Sequence, residues 1–266
     1  ISSSGVPMIP FYIFYSIFGF QRIGDLLWAA GDAGARGFLL GATAGRTTLS
    51  GEGLQHEDGH SHILAGTVPN CVSYDPTFGY EVVVIIQDGM RRMYENNENV
   101  YYYVTVMNEN YTQPEMPKGA EEGIRKGMYL LKQIDASKKS ARVQLMGSGT
   151  ILREVIAAAE LLQKDFDIAS DIWSATSFTE LGRDGMACER WNRMHPEAAP
   201  RLPFVAQCLE KRSGPVIAAS DYMRAFPEQI RSNISQKFVT LGTDGFGRSD
   251  TRANLREFFE VNRHHV

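Results

Sequence analysis

Three things are scarce in this sequence, and each scarcity excludes something. Cysteine is the first: Cys71, Cys188 and Cys208 are odd in number and far apart. No disulfide framework or metal spacing follows, and a reducing, cytoplasmic compartment is the simplest reading. Clustered positive charge is the second. The 266 residues carry 27 Lys and Arg against 31 Asp and Glu, a formal net charge of -4. No basic run appears that would neutralise phosphates, which argues against a nucleic-acid partner. Long apolar runs are the third. The stretch from Met8 to Phe20 spans about 13 residues, against roughly 20 for a membrane span. Pro10 and Gly19 interrupt it, and Gln21, Arg22 and Asp25 follow at once. No membrane partner is expected. No basic segment precedes the run, so it does not read as a secretory leader. Ile1 is not a natural start, and the chain is expected to be a piece of a longer protein.

What is present belongs to a folded protein. Hydrophobic residues make up 43% and aromatics 11%, too many for a disordered tail. The length suggests about two domains. Residues 7–14 (PMIPFYIF) read as a buried strand. Ile17, Phe20, Ile23, Leu26 and Leu27 then recur at helical spacing from Ser16 to Ala30. Gly37 to Ala42 is a short apolar run, followed by a Gly/Thr/Ser-rich loop through Gly53. Glu81 to Tyr94 has a helical stripe of Val82, Ile85, Ile86 and Met93. VYYYVTV, from Val100 to Val106, is the clearest strand, β-branched and aromatic throughout.

The polar stretch Asn108 to Gly123 reads as a linker. Beyond it, strands are expected at 143–146, 168–174, 215–219 and 237–241. Helices are expected at 151–163, around 222–234, and from Thr251, with Ser249 or Asp250 as a cap. Strand–helix alternation with short links implies sheets of parallel strands covered by helices, an α/β fold.

The segment GRTTLSGEGLQHEDGHSH, residues 45–62, concentrates Glu52, His56, Glu57, Asp58, His60 and His62. Such a concentration is costly unless the groups are solvated or used. Histidine is the natural proton donor near neutral pH, and a carboxylate beside it favours the cationic ring. A catalytic loop is one reading, and a polar surface loop is another. A third is a zinc hydrolase, because His56, Glu57 and His60 match the HExxH pattern. That pattern needs a helix to put both histidines on one face. Gly51, Gly53 and Gly59 leave nothing to drive one. Among the aromatics at 11–20, most belong to packing, but one or two are free to stack on a flat heteroaromatic ring. Gly147-Ser148-Gly149 is a tight turn rather than a phosphate loop. Asp88-Gly89 with Asn96-Asn97 is too closely spaced for the magnesium motif of thiamine diphosphate enzymes, and Asp88 reads as a solvated helix residue.

FYIFYSIFGFQRIGDLLWAAGD, RGFLLGATAGRTTLSGEGLQHEDGHSH, NVYYYVTVMNENY and GTDGFGRSD together closely resemble the homodimeric pyruvate dehydrogenases of the transketolase superfamily. The resemblance covers essentially the whole chain. It implies a transketolase-like α/β fold: residues 1–117 a pyrimidine-binding domain lacking its N-terminal part, and residues 118–266 a transketolase C-terminal domain, truncated at its end. It implies pyruvate decarboxylation with thiamine diphosphate, transfer to the lipoyl domain of dihydrolipoyl acetyltransferase, and a homodimer. Tyr15 and Phe18 match the aromatics lining the aminopyrimidine pocket, with Phe18 the stacking partner. His56 matches the histidine that faces substrate, and Glu52 an active-site carboxylate that orients it. Arg22 is a weaker match, to a relay between paired sites. The activating glutamate and the groups holding diphosphate and magnesium are expected outside this stretch, so this stretch alone is expected to be inactive. The competing readings are the zinc hydrolase and a non-catalytic pair of assembly domains.

Overall fold

The strand legible from VYYYVTV is β4 (Tyr101–Val106) in a computed structural model that describes residues 8–137 and 141–266. Its side chains alternate perfectly. Tyr101 and Tyr103 enter one apolar cluster, Tyr102 and Val104 another on the opposite face. A strand covered on both faces needs no polar side, so it reads as an unbroken apolar run. β4 lies inside a four-stranded sheet with β1 (Phe11–Phe14), β2 (Phe38–Ala42) and β3 (Cys71–Tyr74), in the order β1-β2-β4-β3, all parallel. Helices α1 (Phe20–Asp32) and α2 (Ser61–Thr67) cover the Tyr101/Tyr103 face through Phe20, Leu27 and Ala65. Helices α3 (Gly79–Met90) and α4 (Glu121–Lys126) cover the other through Ile85 and Ile124.

The second sheet contains β5 (Tyr129–Ile134), β6 (Arg142–Gly147), β7 (Ala169–Ser174), β8 (Val216–Ala219) and β9 (Phe238–Leu241). Its order is β5-β7-β6-β8-β9, with only β5 antiparallel. One face carries α5 (Ile151–Phe166) and α9 (Arg252–Phe258), packed through Leu152, Val155 and Leu255. The other carries α6 (Phe178–Met194), α7 (Phe204–Leu209) and α8 (Ala225–Glu228), packed through Phe178, Val205 and Phe226.

The sheets meet at their carboxyl edges. Ser148, just past β6, donates to Asp75, just past β3 (2.8 Å). Thr48, in the loop after β2, and Thr150 join hydroxyl to hydroxyl at 2.5 Å. Glu81 is a second pin across the same boundary. Its buried carboxylate accepts from Thr77 N and Phe78 N in its own unit and from Tyr129 Oη and Ser174 Oγ in the other. Burial pushes its pKa up, against those hydrogen bonds.

Several expectations change. The first strand forms, but at the sheet edge, where Ile13 is 64% exposed rather than buried; Pro7 lies outside the described residues. Asp88 is not solvated: it is buried, accepting from Tyr102 Oη (2.9 Å) and Arg91 (2.6 Å). The helix expected around 222–234 is reduced to α8 and a short 3-10 turn at Arg231–Asn233. Thr251 itself caps α9, accepting from Asn254 N at 3.3 Å, while Asp250 accepts from Thr251 N. Helix α6 escapes periodicity because its buried stripe includes Thr179, Gly182 and Gly185, which do not register as apolar.

Candidate active site

Tyr15 and His56 come together at the carboxyl ends of β1 and β2, the edge where open α/β sheets place ligands. After β1 the chain makes a 3-10 turn, Ser16–Phe18, whose root is fixed by Ser16 Oγ donating to Thr43 O (3.2 Å). Gly19 lets the turn close tightly on Phe14: a Cβ there would sit 2.0 Å from that ring, which would have to move. The turn leaves Tyr15 outside, 48% exposed. A second 3-10 turn, Leu54–His56, brings His56 alongside. The Tyr15 and His56 rings lie nearly parallel, 5.1 Å apart. Phe18 stands steeply to both, at 5.2 Å from His56 and 5.9 Å from Tyr15. Arg22 lays its guanidinium 4.3 Å over the Phe18 ring.

Glu52 Oε2 is 3.3 Å from His56 Nδ1. A proton donated from Nδ1 to that carboxylate fixes the tautomer and leaves Nε2 for the open side. All four residues expected at a site, and Arg22 with them, thus occupy one corner. The corner is an open surface: the His56 side chain is 26% exposed and that of Glu52 40%.

The rest of the segment behaves differently. The helix that the zinc-hydrolase reading needs does not form over 56–60: the backbone is 3-10 to His56 and extended at Glu57, and α2 starts only at Ser61. His56 pairs with Glu52 and His60 with Gln21 (2.7 Å), so the two do not converge. Among the described residues, no group of three His, Cys, Asp or Glu is placed to hold a metal.

Glu57 turns inward to accept from Arg248 N (2.6 Å), and burial pushes it up to about 7, against that hydrogen bond and nearby Arg46. Asp58 Oδ1 accepts from His60 N and Ser61 N, tying down the start of α2. His62 is fully buried against Phe226 and Tyr222, with Nε2 bonded to the Thr105 hydroxyl (3.0 Å). Burial lowers it to about 4, Asp58 opposing.

The polar-surface reading of residues 45–62 is therefore half right. Residues 44–49 and 57–59 are buried, and within 45–62 only Ser50, Gly51, Leu54 and Gln55 are exposed. What sequence reading missed is what buries them. Asp221, just past β8, accepts from both the amide and hydroxyl of Thr47 and of Thr48. Arg46 is buried and donates to Thr243 O and, at 2.6 Å, to Gly245 O. Asp75 accepts from Thr105 (2.7 Å) and Ser148, and burial pushes it up to about 7. These partners lie up to about 200 positions away. No local pattern announces them.

Comparison with known proteins bears on this corner. Residues 1–114 match the family model of the pyruvate dehydrogenase E1 component middle domain, and residues 127–262 that of the transketolase-like C-terminal domain. Proteins named pyruvate dehydrogenase E1 component are 64% identical in Pseudomonas aeruginosa and 61% identical in Escherichia coli, each over the full chain. The chain spans 30% of the length of each. A transketolase from Campylobacter jejuni superposes with a TM-score of 0.69 at 17% identity, over 97% of this chain and 34% of its own. A chain described as a split-gene transketolase, inactive β4 tetramer, superposes at 0.62 and 14% identity, over 99% of this chain and 76% of its own. At such identities the structural likeness speaks for the fold alone.

Proposed function

The chain belongs to the pyruvate dehydrogenase E1 component family, with a transketolase-like C-terminal domain, and on that premise we propose that it forms the pyrimidine-binding and C-terminal domains, residues 1–117 and 118–266, of an enzyme that decarboxylates pyruvate oxidatively. The reaction acetylates a lipoyl group on dihydrolipoyl acetyltransferase. One observation carries the assignment of the site: His56, backed by Glu52, stands in the aromatic corner of Tyr15 and Phe18 at the carboxyl edge of the first sheet.

The family implies thiamine diphosphate, and this corner fits its flat aminopyrimidine end. Phe18 and the exposed Tyr15 offer ring surface, and no buried charge needs displacing. When bound, the cofactor supplies a carbanion nucleophile and an electron sink. Phe18 would offer its ring to the aminopyrimidine and Tyr15 would border it. His56, its Nδ1 held toward Glu52, presents Nε2 to donate a hydrogen bond or proton where negative charge develops on substrate oxygen or lipoyl sulfur. Arg22, packed over Phe18, fixes that ring. Magnesium and the diphosphate are held by residues outside this stretch.

The active enzyme is a homodimer in the cytoplasm. Three free cysteines support a reducing compartment, and among the described residues no helix is long and apolar enough to cross a membrane. In the complete enzyme, His56→Ala is expected to lower pyruvate turnover about 100-fold, the lower range for general acid–base catalysis, with thiamine diphosphate still bound. Unchanged turnover would favour a purely structural pair of domains.

A further inference from the structure

The catalytic corner depends on a short turn, and the turn is held by the other half of the molecule. Residues 50–56, which carry Glu52 and His56, are exposed or half-buried. The chain on either side is buried. On the near side, Thr47 and Thr48 close around Asp221. Asp221 Oδ1 accepts from Thr47 N (2.8 Å) and Thr47 Oγ1 (2.5 Å), Oδ2 from Thr48 N (3.1 Å) and Thr48 Oγ1 (2.6 Å). Because the Thr48 hydroxyl donates to Asp221, the Thr150 hydroxyl must donate to it in turn.

The fit is close on every side. Gly45, at φ +88°, would bring a Cβ to 2.2 Å from Asp221 Oδ2, so only glycine lets the carboxylate in. On the far side, Glu57 accepts from Arg248 N and Gly59 O accepts from Met223 N (2.8 Å). Between the two roots, Gly51 N donates to Asp250 O (2.9 Å). Every one of these partners, residues 150, 221, 223, 248 and 250, belongs to the second unit.

We propose that Asp221 is a positioning residue for His56. It anchors the buried root of the 50–56 turn, and the second unit contributes to the reaction by fixing where His56 stands, while the ring contacts and the ion pair at the aromatic corner, among the described residues, all come from the first unit. The proposal rests on the function proposed above. A carboxylate suits the task better than an amide. Four donors converge on it, and an asparagine would turn its own NH2 toward two of them.

The test uses the complete enzyme that contains this chain. Asp221→Asn is made alone and combined with His56→Ala, with Thr47→Val/Thr48→Val as a second route should Asp221→Asn not fold, and Thr47→Ser/Thr48→Ser as the conservative control. Amide exchange over residues 49–57 and the kcat and KM for pyruvate are measured for each. Loosening the root is expected to raise exchange in this segment and to lower kcat about tenfold with KM nearly constant, since a small misplacement of a catalytic group is costly. The serine pair restores both. In the His56→Ala background the same change costs less than about twofold, because residues acting as one unit are not additive. Unchanged exchange, or an equal loss of kcat with and without His56, overturns the proposal. If His56→Ala itself leaves turnover unchanged, the proposed function fails, while the exchange data still decide whether Asp221 holds the turn.

Discussion

Two neighbouring pieces of one loop follow opposite rules. Residues 52–56 lie at the surface, with His56 beside a solvated carboxylate and an exposed tyrosine. Residues 57–59, 61 and 62 are buried, with only His60 between them half-exposed, and His62 is surrounded by aromatic rings and bonded to a single hydroxyl. The two histidines are only six positions apart in the chain. One ring is open to solvent, whereas burial holds the other neutral. The lesson is that a histidine cluster is not a unit of chemistry. Its members are sorted by what the rest of the fold brings against them.

The sharpest break of this contrast is His62→Ala. It removes a ring packed against Phe226 and Tyr222 and is expected to cost about 3–4 kcal/mol of stability, near the lower range for emptying an aromatic site. Denaturant unfolding measures it, and a loss below about 1 kcal/mol would mean the site collapses freely.

The same ring gives a pH dependence. Folded, His62 stays neutral down to about 4, while the unfolded ring takes a proton near 6.5. Between those values the unfolded state binds the extra proton. Its share of stability is therefore full above 6.5 and falls as pH drops, by roughly 1.4 kcal/mol per pH unit. Asp75 and Glu57, raised by burial, pull the other way over much of this range. The comparison is accordingly with His62→Gln, whose stability should fall less steeply from pH 6.5 to 4. Parallel curves would refute a neutral buried His62.

Asp58→Ala removes the carboxylate from the first amides of α2 and should cost about 1–2 kcal/mol by thermal melting. Leu54→Ser, on the exposed side, should change stability by less than about 0.5 kcal/mol. An effect as large as that of Asp58→Ala would erase the distinction between the two pieces.

Much of the fold is legible from the chain. β4 announces itself through Tyr101 to Val106, and β6, β7, β8 and β9 through short apolar runs of the expected length. Helix α5 follows its periodic stripe. The failures share a cause. β1 has strand chemistry, but whether it is central or at the edge depends on which strands pair with it. Asp88 has the chemistry of a surface residue until Tyr102 and Arg91 close over it. Tyr222 to Ile234 carries enough apolar residues for a helix, and Phe226 and Ile230 are buried as one would bury them, yet the backbone helix is only α8. In each case local propensity is a weak prior, and packing decides.

For the candidate site, the resemblance of the strings picked out Tyr15, Phe18, Glu52 and His56: a carboxylate and a histidine four apart, and two aromatics three apart at the end of a strand. Those spacings are local, and short turns bring them within reach without help from distant chain. That Tyr15 meets His56, that residues 44–49 are buried, and that Asp221 receives Thr47 and Thr48 depend on contacts across 41 positions or more. Local sequence sets what a side chain is able to do. Only the packed tertiary structure sets its solvent and its partners, because burial and hydrogen bonding are properties of the packed chain.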